Sequence, residues 1–164
     1  MICFDTSPVI WGVQGAAKTS QQRMIDRTRR YIRFLATENE RIMVPAPVLM
    51  EYLVAFKSNE QDHQRQLIEQ NFFVPSFDIP AALVAAQLLG NRALIKAIQK
   101  TEKVNPQSLR IDAQIIAIAI VHGASKIISN DPHFSKLADG KIIIQDVPDI
   151  QDQGEMFDKK ATDK

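Results

Sequence analysis

Four acidic side chains carry the chemistry this chain is best suited to: Asp5, Glu51, Asp112 and Asp131 each interrupt or directly follow an apolar run. Glu51 is the sole charge between Arg41 and Lys57. On a helix, its neighbours three and four positions away are Pro47, Val48, Val54 and Ala55, which predicts a carboxylate on a buried face. Asp112 opens the run Ala113 to Val121, with Ile115 and Ile116 as helical neighbours. Asp5 follows Ile2, Cys3 and Phe4, and Asp131 follows Ile127, Ile128, Ser129 and Asn130, so both read as residues at strand ends.

An ionised carboxylate in such surroundings costs several kcal/mol or shifts its pKa upward unless a cation or good donors compensate it. Any one of the four could be a helix cap or half of a buried ion pair. Together, with no matched set of Lys or Arg beside them, they predict a shared cation, and oxygen-only ligands suit Mg²⁺ or Mn²⁺ rather than zinc. His63, His122 and His133 share no metal-ligand spacing and have no cysteine partner, which argues against a zinc site. The single cysteine, Cys3, lies in the first strand and reads as a small buried apolar side chain.

The elements that must position these acids follow from the hydrophobic pattern. Apolar, β-rich segments recur at Ile2 to Phe4, Ile42 to Val44, Phe72 to Ser76, Lys126 to Ser129 and Ile142 to Gln145. Between them lie helical patterns: Arg23 to Ala36, with Met24, Ile25, Thr28, Ile32 and Leu35 on one face; Ala46 to Phe56; Pro80 to Ala97; and Leu109 to Val121. Strands alternating with helices predict an α/β fold, with a central, mostly parallel sheet of about five strands flanked by helices on both faces. In such sheets functional residues collect beyond the carboxyl ends of the strands, where Asp5 and Asp131 would sit. Glu51 and Asp112 would reach the same crevice from helices.

At 164 residues and 45% hydrophobic content, one domain over residues 1–145 is expected. Gly12 to Ser20 and Lys100 to Gln107 look irregular, and 146–164 reads as an acidic, partly disordered C-terminal tail. No apolar stretch has membrane-spanning length and the N-terminus opens on a core strand, so a cytoplasmic protein without membrane contact is expected. The net charge of +1 hides an asymmetry: residues 1–145 carry seventeen Lys or Arg against thirteen acids, and the remaining nineteen residues carry six acids and three lysines. A basic body around an acidic site suits a phosphodiester substrate. Arg23, Arg27 and Arg30 form one basic stripe, and Arg92, Lys96, Lys100 and Lys103 a second if their helix continues. Such stripes are either solvated faces or contacts to RNA phosphates or an acidic partner. Trp11 and Phe134 read as core residues, with base stacking as the other use of their rings.

With the order Asp, Glu, Asp, Asp placed on strand end, helix, helix and strand end, the chain resembles the PIN-domain nucleases over roughly residues 1–145. The resemblance rests on Ile2-Cys3-Phe4-Asp5-Thr6-Ser7, Pro45-Ala46-Pro47-Val48-Leu49-Met50-Glu51, Arg110-Ile111-Asp112-Ala113-Gln114-Ile115-Ile116-Ala117 and Ile128-Ser129-Asn130-Asp131-Pro132-His133-Phe134. It implies a metal-dependent endoribonuclease acting on an RNA substrate. Many small members are toxins of VapBC-type toxin–antitoxin pairs, which implies a cognate antitoxin, and a homodimer is expected. Asp5 and Asp112 are expected as direct ligands, with Glu51 and Asp131 completing the site directly or through water. Thr6, Ser129 and Asn130 would hold ligands or a water in place, Ser129 occupying the family's small hydroxyl position before the last acid. Competing readings are an RNA-processing or DNA-directed nuclease without an antitoxin, and a non-catalytic module binding RNA or protein. A haloacid-dehalogenase-like phosphatase would need an Asp where Ser7 stands, and a receiver domain an acidic pair that is absent.

Overall fold

Ile2, Cys3 and Phe4 are all buried and form the three-residue strand β1 (Ile2–Phe4), which takes a partner on each edge. That demand for burial on both faces is why the run is continuously apolar rather than alternating. The computed structural model describes residues 1–150; residues 151–164, most of the expected tail, lie outside the described residues. Parallel to β1 run β2 (Ile42–Met43), β3 (Lys126–Ile128) and β4 (Ile143–Gln145), in the order β2-β1-β3-β4. The register sets Cys3 against Met43 on one side and Ile127 on the other.

After β1 the chain goes to β2 on one side and later crosses to β3 on the other, so the strand order reverses between β1 and β3. Beyond the carboxyl ends of those two strands lies the crevice such sheets use for ligands.

Eight α-helices flank the sheet among the described residues: α1 (Thr6–Val9), α2 (Arg23–Thr37), α3 (Ala46–Val54), α4 (Ser58–Asn71), α5 (Ile79–Gly90), α6 (Arg92–Glu102), α7 (Pro106–Val121) and α8 (Pro132–Ala138). α7 is the core helix, burying Leu109, Ala113 and the continuous run Ile115 to Ala119. α2 buries a narrower stripe of Met24, Thr28, Tyr31 and Leu35. Helix starts are fixed by side-chain caps: Asp78 accepts from the Ala81 N–H, Asn91 from Leu94 and Asn105 from Ser108, at 2.9, 3.1 and 2.8 Å.

The structure departs from the expected elements in several places. Four strands form among the described residues rather than about five: Phe72 to Ser76 contributes a single parallel bridge, Met43 to Phe73. Pro75 can accept a bond, from the Ala46 N–H at 3.0 Å, but has no N–H to extend a ladder. The expected helix over Pro80 to Ala97 is two helices, α5 and α6, meeting at 73° after Gly90, where Asn91 caps the second. Lys103 takes a left-handed φ of 53° and ends α6, so it leaves the stripe of Arg92, Lys96 and Lys100. α4 carries almost no sequence signal because it is polar around most of its surface and fully buries only Ile68. The region expected to be irregular, Gly12–Ser20, overlaps a π-helix turn (Ile10–Gln14) at its start and a 3₁₀ turn (Thr19–Gln21) at its end.

At the C-terminal end, Val147 is fully buried, while Asp146 and Asp149 lie 4.0 and 3.8 Å from Arg27 and Arg30 of α2. Trp11 and Phe134 are both buried in the core, as favoured from the sequence. Among the described residues no single helix is long and apolar enough to cross a membrane.

Candidate active site

Asp5 is the first residue beyond β1, and its N–H donates to the Ile128 carbonyl of β3 at 3.1 Å, so the backbone ladder itself carries it into the crevice. It occupies the N-cap of α1 in an extended conformation, yet its side chain makes no cap bond. The carboxylate instead accepts a hydrogen bond from the Ser129 hydroxyl at 2.8 Å, just beyond β3. Only 4% of Asp5 is exposed. Burial pushes its carboxyl up to about 7; the Ser129 bond and the Thr6 backbone pull it down, and the charges of Asp131 and Asp112 push it up again.

Ser129 joins two of the acids. While donating to Asp5, its oxygen accepts the Asp131 backbone N–H at 3.2 Å, which fixes the turn leading into α8. Asp131 is the N-cap residue of α8, half-buried, and like Asp5 leaves its carboxylate uncommitted to the helix. Carboxylates at N-cap positions normally take the orphan N–H groups of the first turn, so two that do not keep oxygen lone pairs available for another partner, Asp5 beside its bond from Ser129.

Asp112 comes from the second turn of α7, the helix packed deepest in the core, and is half-buried. Its Oδ2 lies 2.9 Å from Nε2 of His133 on α8. Burial raises the Asp112 carboxyl, the His133 hydrogen bond and charge lower it, and Asp131 raises it. The imidazole of His133 is raised in turn, chiefly by its bond to Asp112 and against the effect of burial. Glu51, on α3, accepts a hydrogen bond from the Thr6 hydroxyl. Its face is less buried than the sequence suggests: Pro47 and Val48 are covered, but Val54 is 75% exposed because α3 ends there.

The structure therefore brings Asp5, Asp112 and Asp131 within electrostatic reach of one another, while Thr6 holds Glu51 at the edge of that group. As the side chains stand, Glu51 is turned to Thr6 and Asp112 to His133. Among the described residues no three or more His, Cys, Asp or Glu side chains converge into a finished cation cage. The donor set nonetheless fits a hard divalent cation: oxygens only, mutually repelling, and with His133 as their one salt-bridge partner among the described residues. Asn130 is exposed and lines a cavity beside Asp131. His133 is the site residue that sequence reasoning missed. Its signal was its place two residues after Asp131 on a short helix facing the crevice, but only the packing of α8 against α7 pairs it with Asp112.

Of the basic residues expected at nucleic acid, Arg27 and Arg30 face Asp146 and Asp149 of the same chain, whereas Arg23 lies exposed at the start of α2. Lys96 and Lys100 lie on α6.

A parallel α/β sheet with an acidic crevice at the reversal of its strand order, fed by strand ends and by two helices, is the architecture of a PIN domain. The chain belongs to the PIN domain family, whose model matches residues 2–140. Among solved structures it is similar to VapBC from Salmonella typhimurium in its DNA-bound crystal structure, with 20% identity and a TM-score of 0.60 over 90% of this chain and 98% of that one. It is also similar to VapBC2 from Rickettsia felis bound to a DNA fragment from their promoter, with 14% identity and a TM-score of 0.56 over 89% and 98% of the two chains. No curated protein matches.

Proposed function

We propose that this protein is a divalent-metal-dependent endoribonuclease and the toxin of a toxin–antitoxin pair, acting in the cytoplasm. The observation that carries the nuclease reading is the trio Asp5, Asp112 and Asp131 at the β1/β3 reversal, three like charges around a crevice with no Lys or Arg paired to them among the described residues. The toxin reading is supported by similarity in fold to the two VapBC structures over nine-tenths of the chain.

Phosphodiester hydrolysis needs a strong oxygen nucleophile, stabilisation of charge on the phosphoryl oxygens and relief of charge on the leaving oxygen. When bound, Mg²⁺ or Mn²⁺ supplies charge stabilisation and lowers the pKa of water. Asp5 and Asp112 are the direct ligands in this reading, with Glu51 and Asp131 completing the set directly or through water. Ser129 holds the Asp5 carboxylate and the Asp131 backbone in a fixed relation, and Thr6 does the same for Glu51. Arg23, Lys96 and Lys100 supply positive charge for the RNA backbone. Arg27 and Arg30 join them where the strand displaces Asp146 and Asp149.

The test is cleavage of a panel of structured RNA and single-stranded DNA with Mg²⁺, Mn²⁺ or EDTA. Metal-dependent cutting of RNA that falls by at least about a hundredfold in Asp5→Asn and Asp112→Asn is expected. Equal cutting in EDTA, or by both variants, would remove the four acids from the reaction. The toxin assignment has a separate check. A small reading frame next to this gene should encode a protein that co-purifies with the chain and suppresses its cutting.

A further inference from the structure

A cavity of about 540 Å³ opens beside the acidic crevice and shares Asn130 and Asp131 with it. Its far wall is the irregular segment between α1 and α2: the half-buried Ile10 and Ala17 supply apolar surface backed by the buried Trp11, and Lys18 and Gln21 the polar groups. The volume lies within the range of about 300–1,000 Å³ found for small-molecule sites, room for a base with part of its ribose.

The wall is held in place. The π-helix turn Ile10–Gln14 packs on α2 so closely that a Cβ at Gly12 would lie 2.5 Å from Cδ1 of Ile32. Nε of Arg29 donates to the Gly12 carbonyl at 3.3 Å, and Gly15 ends the turn at a φ of +71°. From the other side, Nε2 of Gln22 donates to the Ala17 carbonyl at 2.8 Å. π-Turns of this kind cluster at functional sites, and here one shapes a cavity that borders the acidic crevice at Asp131. Among the described residues the Lys18 ammonium and the Gln21 amide have no side-chain partner, so both are available to a ligand.

We propose that this cavity seats one RNA base adjacent to the cleaved phosphodiester, so that the Ile10–Gln21 segment sets sequence preference at one nucleotide. The inference rests on the nuclease reading above. Single-stranded RNA is read by splaying a base against apolar or aromatic surface and hydrogen-bonding its edge. Ile10 and Ala17 offer the surface, with the buried Trp11 ring behind them; the Gln21 amide, both donor and acceptor, matches a base edge; Lys18 meets a flanking phosphate.

The experiment is cleavage of a randomised RNA pool in Mn²⁺ by wild type, Gln21→Ala and Ala17→Leu, with the cut ends sequenced and folding of each variant verified by thermal melting. A wild-type preference at one nucleotide beside the cut, flattened about tenfold in both variants, is expected. Gln21→Ala removes a half-buried amide with no side-chain partner among the described residues and tests the reading even if Ala17→Leu fails to fold. Wild-type cutting with the same preference in Gln21→Ala overturns the base seat and leaves the nuclease standing. Failure of folded wild type to cut the pool at all overturns both.

Discussion

Because burial holds the Asp5 carboxyl near 7 against an ordinary value of 3.8, the cation-free folded protein keeps a proton there that the unfolded chain has already released. A raised carboxyl lowers stability as pH climbs from about 4 to 7, and the penalty is then fully present above that window. Asp5→Asn should therefore be more stable than wild type in EDTA at pH 8, by on the order of a few kcal/mol and seen as a higher melting temperature, and the gap should close as pH is brought towards 4. Equal melting at pH 8 would show that the carboxylate is better solvated than its burial indicates. His133 works in the opposite direction. Its raised pKa contributes stability that is fully present below about 6.5 and is lost as pH rises through the folded value. His133→Ala should accordingly lose more thermal stability at pH 5.5 than at pH 8.5, measured as paired melting curves. Such costs at Asp5 and Asp112 are tolerable only where something is gained by burying charge, which is the physical content of reading these acids as functional.

At the scale of elements, each acid depends on a local stop signal in the chain. Asp5 and Asp131 stand where three-residue strands end and helices begin, and Asp112 stands where it does because Asn105 and Pro106 start α7 seven residues earlier. The Asn105 side chain caps that start through the Ser108 N–H. Asn105→Ala should cost about 1 kcal/mol, or roughly 2–4 °C in melting temperature, and should loosen the turn that carries Asp112. A lowered melting temperature with a weaker dependence of cutting on metal concentration would be the signature of a cap that serves the site. The strands and the apolar helices were legible because period and run length mark them. α4 was not, since burial of Ile68 alone gives no periodic stripe, and the α5/α6 break was hidden because Leu and Ala continue on both sides of Gly90 and Asn91.

For the whole molecule, the decisive arrangement is the sheet order, which sets β3 beside β1 although 120 residues lie between Phe4 and Ser125 at the entry to β3. The same packing leaves large apolar side chains on the outside: Ile79 and Leu83 of α5 are 87% and 63% exposed. The proposed self-association through helices would cover them. The purified chain should sediment as a dimer, and Leu83→Glu should shift it to monomer while leaving the fold intact. A monomeric wild type at tens of micromolar would count against a homodimer. If the proposed toxin reading holds, expression of the chain alone in cells should arrest growth, and Asp5→Asn should relieve the arrest; growth arrest that persists in the variant would point away from catalysis as its cause.

The sequence by itself determined that four acids sit against apolar runs, that strands alternate with helices, and hence that a parallel sheet carries Asp5 and Asp131 at its carboxyl ends. Those conclusions need only local periodicity and the cost of burying charge. Tertiary structure alone decided which acids face one another, that Ser129 would bridge Asp5 and Asp131, that Thr6 would take Glu51 and His133 would take Asp112, and that a π-turn would shape a cavity next to them. Each of these joins elements distant along the chain or depends on how helices pack. A contact between α8 and α7, or between α1 and α3, is fixed by shape and burial across the whole core, and no spacing along the sequence encodes it.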